Sequence, residues 1–228
     1  MHASFHIGWV TPFASTWALT LDSRAGLRAP NPQNKFALPL ESEGMANMLT
    51  GDEYRESLND GRQVFFDGER VDVGSHEIFR RAIQVAADGY DQFYDPAPSA
   101  ISTYLNTPNT IEELRAHAAT KVDPLTSTSY SSLMTLLTSA DRIDDIRPEG
   151  SAAIRRYVKD IQQKDLRIVE CITDAKGDRG KRPSQQEDND AYLRVVAQQS
   201  DGVVIRGAKL HISSAAIAHE LMTIPTKP

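Results

Sequence analysis

Asp174, Lys176, Gly177, Asp178 and Arg179 crowd one short stretch, TDAKGDR, from Thr173 to Arg179. Gly177 permits backbone conformations that turn amide N–H groups toward a ligand. Lys176 and Arg179 bring positive charge suited to phosphate or to an electron-rich ring. The same residues also make an ordinary solvated turn whose charges pair with one another, and locally both readings stand. Further on, His211-Ile-Ser213-Ser214 falls at an expected strand end. There hydroxyls can bond a carbonyl or a flat heteroaromatic ring, and His211 could serve as a base because its ordinary pKa is near neutral. A strand-end histidine followed by two capping serines explains the same residues. Tyr130 lies in the hydroxyl-rich segment TSTSYSS, either as a packed or surface phenol or as a ligand contact. Cys171 sits mid-strand with no neighbour that would lower its pKa, and reads as a buried, inert thiol. Phosphate-loop, GxGxxG, HExxH, GxSxG and CxxC motifs are absent from the sequence.

The elements that must position these groups change period partway along the chain. Thr50 with Glu53 is a capping box opening a short helix to Leu58. Gln63 to Val73 alternates around Asp67-Gly68, a hairpin signal. Ser75 can cap a helix reaching about Gln92, with an apolar stripe of Phe79, Ile83, Ala86, Ala87 and Tyr90. Pro96 and Pro98 break the chain. Thr110 with Glu113 is a second capping box, for a helix through Lys121, which Pro124 interrupts. Ser129 to Ile143 keeps a helical stripe of Leu133, Leu136, Leu137 and Ala140 despite its many hydroxyls. Pro148 can start a helix in which Ile154, Tyr157, Val158 and Ile161 share a face. From Leu166 the pattern turns to strands: Leu166–Thr173, then Tyr192–Gln198 and Val203–Leu210 flanking Asp201-Gly202, then Glu220–Thr226.

A helical part thus feeds a β part, an α+β arrangement. Three or four strands with no closing partner form an incomplete antiparallel β domain, so strands are expected to be missing or supplied from elsewhere. Residues 1–44, aperiodic and rich in Pro and Gly after Arg24, read as a flexible extension or an upstream mis-start. Residues 45–165 read as the helical domain and 166–228 as a partial β domain.

The chain has 228 residues, 40% hydrophobic and 25% charged, with a formal charge of −6. This balance fits a globular protein and disfavours nucleic acid and acidic membranes as main partners. One cysteine excludes an internal disulfide and a multi-cysteine metal site, and a reducing, cytoplasmic setting is expected. No run reaches the ~20 apolar residues that a spanning helix needs.

Two long segments, MLTGDEYRESLNDGRQVFFDGERV (48–71) and TDAKGDRGKRPSQQEDNDAYLRVVAQQSDGVVIRGAKLHISSA (173–215), resemble signatures of the 4-hydroxyphenylacetate 3-hydroxylase family, which also contains 4-hydroxybutyryl-CoA dehydratase. The resemblance covers Met45 to the C-terminus. It implies an acyl-CoA-dehydrogenase-like layout: an N-terminal helical domain, a middle β domain and a C-terminal helical domain, the last absent here, so that the chain is expected to be a fragment.

The resemblance further implies FAD along the middle domain, contacted by Thr173, Asp174, Lys176, Gly177, Asp178, Arg179 and Ser213, with Arg179 as the candidate catalytic residue. Reduced flavin would come from a separate flavin reductase, a small aromatic phenol would be hydroxylated, and an intact member would be a homo-oligomer. The substrate positions of the hydroxylase branch fall on Tyr130 and Glu170. An arginine of that branch is replaced by Thr126, and a histidine by Glu170. A hydroxyl cannot replace a guanidinium's paired donors, and these departures leave a non-catalytic remnant as the alternative. The dehydratase branch needs cysteine ligands for an iron–sulfur cluster, and residues 123–132 hold none.

Overall fold

A computed structural model describes residues 5–6, 9–10, 48–120, 124–175, 177–199 and 202–223. Two short strands, β1 (Phe5–His6) and β2 (Trp9–Val10), precede the helical part. Helix α1 (Gly51–Ser57) starts on a complete capping box: the Thr50 hydroxyl accepts from the Glu53 N–H, and the Glu53 carboxylate accepts from the Thr50 N–H. The hairpin β3 (Val64–Phe66) and β4 (Glu69–Val71) turns at Asp67-Gly68, both with positive φ, as a two-residue hairpin turn of this kind demands.

Helix α2 (Glu77–Phe93) is capped by His76 rather than by the expected Ser75: the His76 Nδ1 accepts from the Ile78 N–H. Of the anticipated stripe it buries Ile83, Ala86, Ala87 and Tyr90, and Phe79 packs against them partly buried. Helix α3 (Ile111–Ala119) has its own full capping box at Thr110 and Glu113 but buries no residue. Helix α4 (Pro124–Ile143) places Pro124 in its first turn, where the missing N–H costs nothing. Helix α5 (Pro148–Lys164) begins on Pro148 and ends on Asp165 in the left-handed region, φ 50°. Asp165 is 2% exposed, and its carboxylate accepts from the Leu49 N–H at 2.8 Å.

The strands that follow are β5 (Ile168–Cys171), β6 (Arg194–Gln199), β7 (Gly202–Arg206), β8 (Ala208–Lys209) and β9 (Glu220–Thr223). The expected long strand over Val203–Leu210 is broken at Gly207, φ 145°, where a Cβ would collide with the Tyr192 carbonyl oxygen and Leu193. β6 and β7 form the expected antiparallel hairpin, with a bulge between Val195 and Ala197. Against the antiparallel β domain expected from sequence, β5 and β9 form a separate two-stranded sheet that pairs in parallel, from Ile168 opposite Glu220 to Cys171 opposite Thr223. Some 48 residues of connection separate the two, long enough for a parallel return. β1 pairs with β8 and β2 with β7. Those four residues are the described part of the segment 1–44; the rest of that segment, with 45–47, 121–123, Lys176, 200–201 and 224–228, lies outside the described residues.

Three apolar clusters hold these elements. One joins α1, the hairpin and α2 around Tyr54, Val64, Ala86 and Tyr90, and takes in Ile217. A second packs Leu133, Val158, Ile161 and Ile168 with Tyr104 and Leu105. The third, Val169, Cys171, Ala218 and Leu221, lies between β5 and β9.

A polar seam ties the first helix to the β part. The Tyr54 hydroxyl donates to the Ile217 carbonyl at 2.8 Å, and Arg62 donates to the Ala216 and Ala218 carbonyls at 2.8 and 3.0 Å. Burial, with Arg62 and Arg167 nearby, pushes the His219 pKa down to about 3. Its neutral ring accepts from the Arg167 N–H at Nδ1 and meets the Ser57 hydroxyl at Nε2, 2.7 Å away.

Candidate functional site

The loop predicted from sequence begins where β5 ends. The Leu210 N–H donates to the Thr173 carbonyl at 2.8 Å, and Asp174 forms an isolated antiparallel bridge with Lys209. Thr173 and Asp174 are therefore laid along β8, and the segment 210–214 leaves from the same edge. Lys209 is 1% exposed. Its ammonium lies 2.7 Å from the Asp174 carboxylate and donates to the Ile172 carbonyl at 3.1 Å. A buried ammonium is tolerated because it is paired and hydrogen-bonded.

Beyond Gly177 the loop turns through Arg179 and Gly180. The Asp178 carboxylate accepts from the Gly180 N–H at 2.8 Å and faces Lys181 at 3.8 Å. Each acid of the loop thus has a partner within the chain, Asp174 in a buried ion pair and Asp178 with its side chain still 58% exposed. Arg179 and Ser213 are exposed, and neither side chain bonds any group among the described residues. What this edge offers outward is a guanidinium and a hydroxyl, donors suited to carbonyls, ring nitrogens or phosphate oxygens. Lys176 lies outside the described residues.

His211 is exposed and held at φ 58°, and Ser214 at φ 64° precedes the 3-10 turn Ala215–Ile217 without capping it through its side chain. Cys171 is fully buried, and burial pushes its thiol up to about 12 despite the nearby Lys209 charge. The thiol is buried, as the sequence predicts.

Of the two positions that the resemblance assigns to substrate, Glu170 sits where β5 meets α4, whereas Tyr130 packs against α3. Glu170 on β5 accepts from the hydroxyls of Ser131 at 3.1 Å and Ser132 at 3.4 Å, both on α4. Tyr130, next to them in sequence, stacks its ring on His117 with centroids 4.0 Å apart and planes 24° from parallel. Burial lowers the His117 pKa from its ordinary value. The Thr126 side chain lies outside the described residues. The donors that Glu170 meets, Ser131 and Ser132, were legible only as poor helix formers. Lys209 was hidden in an apolar strand, and Gln186, which contacts the loop at 2.8 Å, carried no sequence signal at all.

No helix among the described residues is long and apolar enough to cross a membrane. A family model described as the N-terminal part of 4-hydroxyphenylacetate 3-hydroxylase matches residues 50–228. The chain is 28% identical over 204 residues to 4-hydroxybutyryl-CoA dehydratase/vinylacetyl-CoA-Delta-isomerase of Clostridium aminobutyricum, covering 78% of this chain and 41% of that protein. It is 30% identical over 193 residues to the oxygenase component of 4-nitrophenol 2-monooxygenase of a Rhodococcus species, covering 75% of this chain and 36% of that protein. Its fold is similar to the oxygenase component of 4-hydroxyphenylacetate 3-monooxygenase solved in complex with FAD, with a TM-score of 0.63 and 23% identity over 78% of this chain and 41% of that one. The chain thus spans about two fifths of the length of the relatives it matches. With a family model matched from Thr50 to its last residue, this chain belongs to the 4-hydroxyphenylacetate 3-hydroxylase family.

Proposed function

We propose that residues 173–182 and 210–214 form one wall of a site for reduced FAD, in an oxygenase component that hydroxylates a phenol. The observation that carries the reading is a pair of exposed donors: Arg179 and Ser213 bond no group among the described residues, while Asp174 pairs with Lys209 and Asp178 accepts from the Gly180 N–H. An electron-rich flavin ring fits that donor set. Bound there, the flavin would supply the reducing equivalents for oxygen activation.

The chain's own residues do the holding. Arg179 would face a flavin carbonyl or phosphate and stabilise negative charge on the reduced ring. The Ser213 hydroxyl would donate to a ring heteroatom. The Lys209–Asp174 pair keeps the entry of the loop against β8, so that these donors stay in place. Tyr130, beside the Glu170–Ser131 contact, would line the phenol side. The whole protein would take reduced flavin from a separate reductase, act on a small aromatic substrate and assemble as a homo-oligomer. A non-catalytic member that keeps the fold is the second reading, favoured by the carboxylate of Glu170 and the hydroxyl of Thr126 at two substrate positions.

Anaerobic titration with reduced FAD separates the two. Binding is expected in the micromolar to submillimolar range, and Arg179→Ala should weaken it about tenfold, about 1.4 kcal/mol. No binding below about millimolar, with Arg179→Ala indistinguishable from the parent, would sink the flavin reading.

A further inference from the structure

The far end of the loop is built around one side chain, Gln186, which is 7% exposed. Its carboxamide pairs reciprocally with the peptide of Asp178: Oε1 accepts from the Asp178 N–H at 2.8 Å, and Nε2 donates to the Asp178 carbonyl at 2.8 Å. Nε2 also reaches the carbonyls of Lys181 at 3.1 Å and Arg182 at 3.4 Å. The side chain therefore does what a neighbouring strand does for a backbone, and closes the turn that presents Arg179. Gly177 answers to the same group. A Cβ at Gly177 would collide with Gln186 Oε1, so a side chain there would displace the carboxamide from its pairing. The opposite end is fixed independently by Lys209 on Asp174.

We propose that Gln186 is a positioning residue that sets the shape of the 177–182 turn, and with it the aim of Arg179 toward a bound flavin; the second half of this rests on the flavin reading above. Few side chains can substitute. Leucine loses both halves of the pairing. Glutamate keeps the acceptor but, when ionised, sets a carboxylate against three carbonyl oxygens. Asparagine is one methylene short.

The test uses the full chain and two readouts. Hydrogen exchange without flavin reports the loop itself: Gln186→Leu should accelerate exchange of the Asp178 amide at least tenfold, while amides of β5 keep their protection. Anaerobic titration with reduced FAD reports the aim: Gln186→Leu should weaken binding at least tenfold at every pH. Gln186→Glu should bind nearly as the parent in acid and lose affinity as its carboxyl ionises, a pH profile that a merely structural role would not produce. Unchanged Asp178 exchange in both variants overturns the proposal. So does faster exchange with unchanged FAD affinity in a parent that binds. If Asp178 exchange accelerates while the parent binds no reduced FAD, the loop assignment stands and the flavin reading falls. If the leucine variant fails to fold, Gln186→Glu alone decides by its pH profile and its Asp178 exchange.

Discussion

Glu220 shows how much a single buried group sets. It is 7% exposed beside β5, and burial raises its pKa to about 8, with the Asp160 carboxylate adding to the rise and Lys164 opposing it. A carboxyl that binds its proton more tightly folded than unfolded contributes stability that is complete below its ordinary pKa of 4.5. That stability is lost as pH climbs toward 8. Asp165, raised to about 6 by burial, acts in the same direction over a lower window. His219 acts oppositely: with its pKa pushed down to about 3, its contribution is present above its ordinary 6.5 and fades as pH falls toward 3. Glu220→Gln should therefore remove most of the decline between pH 4.5 and 8. At pH 8 it should stabilise the chain by about 4 kcal/mol, roughly 8–16 °C in Tm. Thermal unfolding across that range checks it, and an equally steep decline in the variant would refute the assignment.

Among elements, the break between β7 and β8 matters most to the site, because it offsets β8 toward the loop. Gly207 makes the break: its φ of 145° suits glycine alone, and the space a Cβ needs is filled by the Tyr192 carbonyl and Leu193. Gly207→Ala should cost at least about 2 kcal/mol in chemical unfolding. It should also loosen the pairing of Thr173 with Leu210, read as faster exchange of the Leu210 amide. A variant with the parent's denaturation midpoint would show that the backbone relaxes there freely. The capping boxes at Thr50 and Thr110 were legible in advance because their hydrogen bonds are local, three residues apart. The cap at His76 was not, since serine is the commoner choice one residue earlier.

For the molecule as a whole, the seam between α1 and residues 216–219 decides whether the helical and β parts unfold together. Tyr54 reaches Ile217, Arg62 reaches two further carbonyls, and Ser57 meets His219. Arg62→Met leaves the Ala216 and Ala218 carbonyls without their donor, a loss of about 2 kcal/mol. Tyr54→Phe should cost about 1 kcal/mol by the same argument. Because the groups share one network, the double variant should depart from the sum of the two. Its unfolding followed at α2 and at β5 should no longer coincide. Coincident transitions in the double variant would mean that apolar packing around Ile217 couples the parts without the seam.

What the sequence determined by itself was local: helices with caps and stripes, two hairpins, a buried cysteine, and a charged glycine loop next to a strand. These follow from hydrogen bonds and periodicities spanning a few residues, so they leave marks in the chain. The family signatures marked the same loop, but only as a list of polar residues. Tertiary structure alone decided that β9 returns parallel to β5 and that Glu170 meets the serines of α4. It also decided which polar residues of the loop are spent internally. Asp174 and Asp178 look as available as Arg179 in the sequence. Lys209, 35 positions from Asp174, takes the Asp174 carboxylate, the Gly180 N–H donates to the Asp178 carboxylate, and Gln186 takes the Asp178 peptide, because a buried charge or amide must find a partner wherever the fold brings one. That closure leaves Arg179 and Ser213 as the groups the loop can offer outward.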